Sequence, residues 1–106
     1  METRRDVFQA IADPTRRNIL AKLMQKPQNL NSIAEQFDMS RQAISLHVKI
    51  LTECGVISIN QEGRERYCNL QLEKLAEVAD WLEPFKKMWE EKFNRLDDLL
   101  NNLKTN

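Results

Sequence analysis

Two helical segments between residues 29 and 54 are separated by so few residues that they constrain the fold of this chain more than any other feature. In both segments the apolar residues recur at three- and four-residue steps: Leu30, Ile33, Ala34 and Phe37, then Ile44, Val48 and Leu51. Asn29 and Ser40 precede the two segments as N-cap residues. Helices joined by a connection as short as Asp38-Met39 cross at a steep angle, so residues 29–54 are predicted to form a helix-turn-helix.

Packing of these two helices against each other leaves the outer face of the second helix free. The side chains on that face are mostly polar or basic: Arg41, Gln42, Ser45 and Lys49, with Leu46 beside them. Such side chains hydrogen-bond to base edges and phosphates when a helix enters the major groove. The pattern therefore indicates double-stranded DNA as the partner.

A hairpin is predicted directly after the second helix, over residues 56–70. A β-branched run, Val56 to Ile59, is followed by polar residues and then by a second short strand that ends at Leu70. Gly63 supplies a positive φ at the tip, and Arg64 and Arg66, two residues apart, are expected on one side of the returning strand. Such a wing could straddle a minor groove, although a plain surface hairpin explains the same pattern.

The front of the chain carries two further helical patterns. Residues 4–12 form a short one, whose apolar stripe includes Val7, Phe8 and Ile11. A second helix is predicted to begin at Asp13-Pro14, with Asp as N-cap and Pro at the first helical position. Arg16 and Arg17 lie in its first turn, where the helix dipole disfavours cations. We expect either a phosphate or acidic partner for one of them, or a solvated arginine pair.

The tail is predicted to be helical from Leu72, with an interruption at Pro84 and a longer helix over residues 84–104. The longer helix carries an apolar stripe of about twenty residues: Phe85, Trp89, Phe93, Leu96, Leu100 and Leu103. A chain this small has little surface to cover it, so the stripe is predicted to be a homodimer interface that Val7, Phe8 and Ile11 join. The alternative is a helix folded back on its own core.

Length and composition are consistent with one mainly helical domain over residues 1–106. The chain has two Gly and three Pro residues, and the hairpin is the one predicted β element. The fold class is therefore mainly α with a two-stranded β wing, a winged helix-turn-helix that dimerises through its terminal helices. No targeting or membrane-spanning segment is recognisable, so we expect a cytoplasmic protein without a membrane partner.

Charge is distributed unevenly although the formal net charge is zero. Residues 1–26 carry six basic and three acidic side chains, residues 27–70 four and five, and residues 71–106 six and eight. DNA affinity depends heavily on Lys and Arg contacts to phosphate. The cations that face DNA must therefore be concentrated by position rather than by number.

Catalytic and metal chemistry find little support in the sequence. There is no phosphate-binding glycine loop and no nucleophile elbow, and His47 is the single histidine, so we expect neither an enzyme nor a cofactor or metal site. His47 lies at the border of the buried face, where a structural role and a phosphate contact are both open. Cys54 and Cys68 are expected to be reduced apolar fillers, with a redox pair as the alternative.

Several motifs occur together in an order that resembles the arsenical-resistance-repressor (ArsR-type) family of bacterial transcription factors. They are Ala-Asp-Pro-Thr-Arg-Arg at residues 12–17, Ile-Ser-Leu-His-Val-Lys-Ile-Leu at 44–51, Cys-Gly-Val-Ile at 54–57, and Gly-Arg-Glu-Arg-Tyr at 63–67. The resemblance implies a winged helix-turn-helix homodimer that binds an imperfect inverted repeat and usually represses its own operon. The tail, from Trp81 to Glu91, looks most like a metal-free branch often encoded next to small lipid- or polyketide-binding-type proteins.

The resemblance also implies roles for individual residues. Ser40, Arg41, Gln42 and Ser45 lie at the start of the recognition helix, with Arg41 on guanine or phosphate, Gln42 on a base edge such as adenine, and Ser45 on phosphate or base. Leu46 departs from the usual polar residue and would contact a thymine methyl or mark a different sequence preference. The metal-binding cysteines of founding members correspond here to Asn29 and Asn31, so ion sensing is not expected.

Two questions stay open at the level of sequence. The near-neutral recognition region also fits a winged-helix module that binds protein through its tail helix, without specific DNA binding. Neither an inducer, which would be an unknown small molecule, nor the operator and the regulated genes can be read from the residues.

Overall fold

A computed structural model describes residues 5–104, so the start of the helix predicted at residue 4 lies outside the described residues. The elements follow one another in this order: α1 (Val7–Ala10), α2 (Pro14–Leu23), β1 (Gln28–Asn29), α3 (Leu30–Glu35), α4 (Arg41–Glu53), β2 (Ile57–Glu62), β3 (Glu65–Leu70), a 3-10 turn (Leu72–Leu75) and α5 (Ala76–Lys104). The chain divides into two compact units, one that runs to Ala76 and one from Glu77 onward. The assignment of residues 1–106 to a single domain stays a prediction.

Four of the helices begin with a side chain that caps the first turn. The side-chain oxygens of Asp6, Asp13, Asn29 and Ser40 each accept a hydrogen bond from the backbone N–H three residues later, at 2.7–3.1 Å. These bonds satisfy N–H groups that have no partner inside the helix. The starts predicted at Asp13, Asn29 and Ser40 are therefore confirmed.

Helix α4 lies at the centre of the first unit. It packs against α2, α3 and β2, and its apolar side chains Ile44, Val48 and Leu51 are buried. Ile33 of α3 and Ile19 of α2 are fully buried as well. The helix-turn-helix predicted from the apolar spacing is thus the core of this unit, and α4 keeps its opposite face for solvent.

The small sheet has three antiparallel strands in the order β1-β3-β2, one more than the two-stranded wing predicted. β1 pairs with β3 through Gln28 opposite Cys68 and Asn29 opposite Tyr67. Two residues are too few to show the alternation by which a strand is recognised, which is why the sequence did not reveal β1. The hairpin itself is confirmed: β2 and β3 are joined by a two-residue loop, and Gly63 has the expected positive φ of 63°.

The first helix is shorter than predicted. α1 spans only Val7–Ala10, and both of these end residues are completely buried. Val7 therefore offers no surface to a second chain, and its predicted place in a dimer interface is wrong. Phe8 is 40% exposed and Ile11 is partly exposed, so these two residues keep that prediction open.

The predicted interruption at Pro84 is also wrong, because α5 continues through it from Ala76 to Lys104. The preferred φ of proline suits a helix, and the hydrogen bond that it removes is tolerated where water can replace it. No residue of Ala76–Lys104 is buried. In the part of the chain that is described, no helix has the length and apolar character of a membrane span.

Arg16 is the one buried cation of the described fold, with 7% of its surface exposed. Its Nε donates to the carbonyl oxygen of Ala10 at 3.0 Å and its Nη2 to that of Gln9 at 2.9 Å. Its Nη1 lies 3.4 Å from Nδ1 of His47 on α4. Arg16 therefore connects α1, α2 and α4. The sequence predicted a phosphate contact or a solvated guanidinium, and neither describes this buried side chain. Arg17 is exposed and donates to the carbonyl oxygen of Ile11 at 2.7 Å.

Asp13 completes this group of charges. Its Oδ2 lies 4.0 Å from His47 Nδ1 and accepts the backbone N–H of Arg16 at 3.1 Å. Burial alone raises the pKa of Asp13, but the hydrogen bond from Arg16 and the charge of His47 outweigh it, so its pKa lies below the ordinary value. Nδ1 of His47 faces these two residues, which leaves Nε2 for the phosphate contact that stays a prediction.

We expect Arg16→Met to lower the free energy of unfolding by about 2 kcal/mol or more, because it removes the guanidinium donors from the buried carbonyl oxygen of Ala10 and the partly buried one of Gln9. The matched change Arg17→Met removes an exposed guanidinium and should cost less than about 1 kcal/mol. Urea denaturation at one fixed protein concentration measures both values. Equal losses for the two variants would contradict the structural role of Arg16.

Asp13 should stabilise the fold most strongly above about pH 4. A carboxyl group whose pKa is lowered by folding contributes stability above its unfolded pKa and loses it as the pH falls through the folded pKa. We therefore expect Asp13→Asn, which retains a capping oxygen, to be less stable than the unsubstituted chain at pH 7 and nearly as stable at pH 2–3. Denaturation curves across this range check the trend, and Asp38→Asn, at an exposed turn position, is the control.

Candidate nucleic-acid interface

The outward face of α4 forms a shallow surface depression of about 390 Å³. Its lining residues are those that the apolar spacing left free: Arg41, Gln42, Ser45, Leu46 and Lys49. They recur at steps of three and four along the helix and therefore share one side of it. Leu46 is 58% exposed, so its apolar side chain is available for contact. We call this set the recognition face.

Beside the recognition face, a second cleft of about 390 Å³ lies between the start of α3, the start of α4 and the wing. Three arginines line it, Arg41 from α4 and Arg64 and Arg66 from the wing, and we call it the three-arginine cleft. Arg64 lies in the two-residue loop rather than in the returning strand, where it was predicted, because β2 and β3 pair all the way to Glu62 and Glu65. The two wing arginines nevertheless line the same cleft.

Neutral hydrogen-bond partners organise the side chains of the three-arginine cleft. The Nε of Arg41 donates to Oδ1 of Asn31 at 2.6 Å, which links α4 to α3. Glu65 is the one acidic residue among the lining side chains, and its Oε2 accepts from the hydroxyl of Tyr67 at 2.8 Å and from Nδ2 of Asn29 at 3.3 Å. The bond to Glu65 raises the pKa of Tyr67. In total, the side chains that line the cleft carry three positive charges and one negative charge.

Asn29 and Asn31 have structural roles at the positions that the resemblance aligned with metal-binding cysteines. Asn29 caps α3 and contacts Glu65, and Asn31 positions Arg41. Among residues 5–104, no three His, Cys, Asp or Glu side chains come together in a way that would hold a metal ion.

Ser40 differs from the other predicted contact residues because its oxygen already caps α4. An N-cap hydroxyl accepts one backbone hydrogen bond and still has its own proton to donate. Ser40 is exposed, so that proton can reach a phosphate oxygen.

Both cysteines are free and almost completely buried, with 2% of Cys54 and 1% of Cys68 exposed. Burial raises the pKa of each thiol above its ordinary value. A buried thiol with a raised pKa forms little of the reactive thiolate. The structure therefore favours apolar fillers over the redox pair.

Chemically, the two surfaces combine donors of two kinds on neighbouring elements. Arg41 and Gln42 are side chains that can make paired hydrogen bonds to base edges, whereas Lys49 and the wing arginines can neutralise phosphates. The start of α4 adds the partial positive charge of a helix N-terminus. The sequence indicated these residues individually, but the contribution of the wing to a cleft shared with α3 depends on tertiary contacts.

Comparison with known proteins supports this description. Residues 13–58 match the family described as "Bacterial regulatory protein, arsR family". The transcriptional repressor SdpR of Bacillus subtilis (strain 168) is 39% identical over 80 residues, which cover 76% of this chain and 89% of that protein.

Solved structures show the same fold. An ArsR-like transcriptional regulator from Rhodococcus sp. RHA1 is 31% identical, with a TM-score of 0.67 and 88% of each chain covered. The homodimeric winged helix-turn-helix DNA-binding domain of Mb0332 from Mycobacterium bovis has a TM-score of 0.61 over 78% of this chain and 77% of that one, and at 23% identity it supports the fold alone. This chain is a winged helix-turn-helix, DNA-binding transcriptional regulator, and it belongs to the ArsR family of bacterial regulatory proteins.

Proposed function

We propose that this regulator represses transcription as a homodimer, by occupying an inverted-repeat operator that includes the promoter of its own gene. The observation that carries the proposal is the adjacency of two surfaces, the recognition face of α4 and the three-arginine cleft at its N-terminal end. One surface is suited to base edges and the other to phosphates. A dimer would place two such pairs of surfaces on half-sites about one helical turn of DNA apart.

On the recognition face, Gln42 and Arg41 are the proposed readers of base edges, on adenine and guanine respectively. Arg41 is well suited to this role because Asn31 already holds its Nε, which lowers the entropy lost when the guanidinium binds. Ser45 would bind phosphate or base, and Lys49 phosphate. Leu46 would contact a thymine methyl, which is an apolar feature of the major groove.

The wing would fix the position of the protein on the duplex. Arg64 and Arg66 line the cleft that opens beside the start of α4, so they would meet the backbone next to the base pairs that α4 reads, or a narrow minor groove there. Such contacts add affinity for any sequence. Ser40 and His47 are proposed as additional phosphate donors at the edge of this surface.

Dimerisation is proposed to use the apolar stripe of α5. Its six residues, from Phe85 to Leu103, are between 43% and 74% exposed in the single chain. An apolar stripe of this length marks an interface more often than a free surface. Phe8 of α1 and Ile11, the C-cap residue of that helix, are proposed to join it. The similar protein SdpR agrees with the proposed repression, since it is a transcriptional repressor.

The protein would act in the cytoplasm, where its chromosomal target lies. Occupation of promoter DNA by a dimer is sufficient for repression, without a catalytic step or a cofactor.

The assigned roles predict different outcomes for two alanine variants. Gln42→Ala should reduce the preference for operator over scrambled DNA by about tenfold, because a lost base contact removes about 1–3 kcal/mol of discrimination. Arg64→Ala should weaken binding to both DNAs and reduce the salt slope by about one. Fluorescence anisotropy with the DNA upstream of the gene, at two salt concentrations, measures both effects.

The matched control for Arg64→Ala is Lys26→Ala, which removes an exposed cation that lies outside both surfaces. It should leave affinity and salt slope nearly unchanged. If Gln42→Ala and Arg64→Ala weakened all sequences equally, the division into base reading and phosphate binding would be wrong. Weak binding without salt dependence would instead favour a winged-helix module that binds protein.

The dimer proposal predicts that Phe93→Glu raises the dimer dissociation constant by about tenfold or more, because a charge replaces a large apolar side chain in the interface. Asn94→Glu places the same carboxylate on the neighbouring residue of α5, about 100° around the helix, and should have little effect. Sedimentation equilibrium over a range of concentrations distinguishes them. If both variants had the same dimer dissociation constant, the apolar stripe would not be part of the interface.

A further inference from the structure

A third cleft, of about 430 Å³, lies between α4 and the face of the wing sheet that turns toward it. Its walls are mainly apolar and include Leu30, Val48, Ile59 and Cys68. Ile59 and Cys68 are direct register partners on β2 and β3, so they lie on the same face of the sheet. Ile59 is 40% exposed, whereas Cys68 is buried. We call this space the apolar cleft.

Two cations border the apolar cleft, Lys49 from α4 and Arg66 from β3. The one carboxylate among its lining residues belongs to Glu53, whose Oε2 lies 2.6 Å from Nε of Arg5. That hydrogen bond from Arg5 lowers the pKa of Glu53, so the carboxylate is ionised and paired. The hydroxyl of Thr52, another lining residue, donates to the carbonyl oxygen of Val48 at 2.8 Å. The cleft thus combines apolar walls with an excess of positive charge.

We propose that the apolar cleft binds a small amphipathic anion, with its apolar body against Ile59 and Val48 and its anionic group between Lys49 and Arg66. The volume falls within the range of small-molecule sites, about 300–1,000 Å³. Such sites are typically lined by apolar side chains with a few charged groups that fix the orientation of the ligand. An apolar cation would meet Lys49 and Arg66 at the same border and is disfavoured by like-charge repulsion.

Binding at this cleft would act directly on DNA recognition, a consequence that rests on the proposed function. Lys49 also belongs to the recognition face, and Arg66 also lines the three-arginine cleft. An anion held between them would use the cations that are proposed to neutralise phosphates. Ligand and DNA would then exclude each other, which is the behaviour of an inducer.

The test uses octanoate as the probe, below its micelle concentration, and the full chain without DNA. Isothermal titration calorimetry should detect saturable binding of one octanoate per chain, weaker binding of 1-octanol, and no binding of octyltrimethylammonium. Lys49→Gln and Arg66→Gln should each weaken octanoate about fivefold and leave 1-octanol unchanged. Equal binding of the anion and the cation would overturn the proposal.

A pair of tryptophan variants tests the location. Ile59→Trp should fill the cleft and reduce octanoate affinity by tenfold or more, whereas Asn60→Trp places the same bulk on the opposite face of β2 and should not. Circular dichroism confirms that both variants are folded. If Ile59→Trp binds octanoate as well as Asn60→Trp does, the ligand does not occupy this cleft.

Competition with DNA is measured separately. Octanoate should weaken binding of the upstream DNA to the unsubstituted chain and to Asn60→Trp, but not to Ile59→Trp. If octanoate binds but the chain has no affinity for DNA in its absence, the proposed function fails and the ligand site stands. If both bind without competition, the site stands and its role as an inducer site is excluded.

Discussion

A buried guanidinium couples the recognition helix to the rest of the first unit. Burying a charge is costly unless its hydrogen bonds are replaced, and Arg16 replaces them with the carbonyl oxygens of Gln9 and Ala10, while its Nη1 lies 3.4 Å from the ring of His47. Helix α1, with four residues, is too short to persist alone. The same side chain therefore holds α1 in place and connects α2 to the inner border of α4, from which the recognition face projects outward.

Local chemistry accounts for what the sequence predicted well. Asp13, Asn29 and Ser40 were recognisable as N-caps because capping involves residues only three positions apart, and Gly63 because a tight hairpin needs a positive φ. The recognition face followed from the spacing of the residues that α4 buries. In each case one short stretch of sequence contains both partners of the interaction.

Two of the differences, strand β1 and the partners of Arg16, concern contacts that the local sequence pattern does not show. The pairing of Gln28 with Cys68 joins residues forty positions apart, and the two-residue strand that makes it has no pattern of its own. Arg16 resembles any surface arginine in sequence, because its partners are backbone carbonyl groups and a side chain on another helix. Arg16 lies in the first turn of α2, where the helix dipole disfavours a cation. That position was the signal in the sequence that this side chain has a specific partner.

The chain has no net charge, yet three of its arginines meet where three elements converge. Arg41, Arg64 and Arg66 come from α4, the wing loop and β3, while the one carboxylate among them is bonded to Asn29 and Tyr67. Lys49 and Arg66 border a second, apolar space. A small domain can thus place phosphate contacts and an apolar cleft around the same side chains, and the total charge of the sequence indicates neither.

Pro84 has a consequence for any partner that covers α5. Its ring carries no N–H, so the carbonyl oxygen of Asp80, four residues earlier, has no helical hydrogen-bond donor and must find one in water. A protein surface that sealed this turn would bury an unsatisfied acceptor. The apolar stripe begins one residue later, at Phe85. In the proposed dimer, Pro84 would therefore mark a hydrated boundary, with the dry helix-to-helix interface on its C-terminal side.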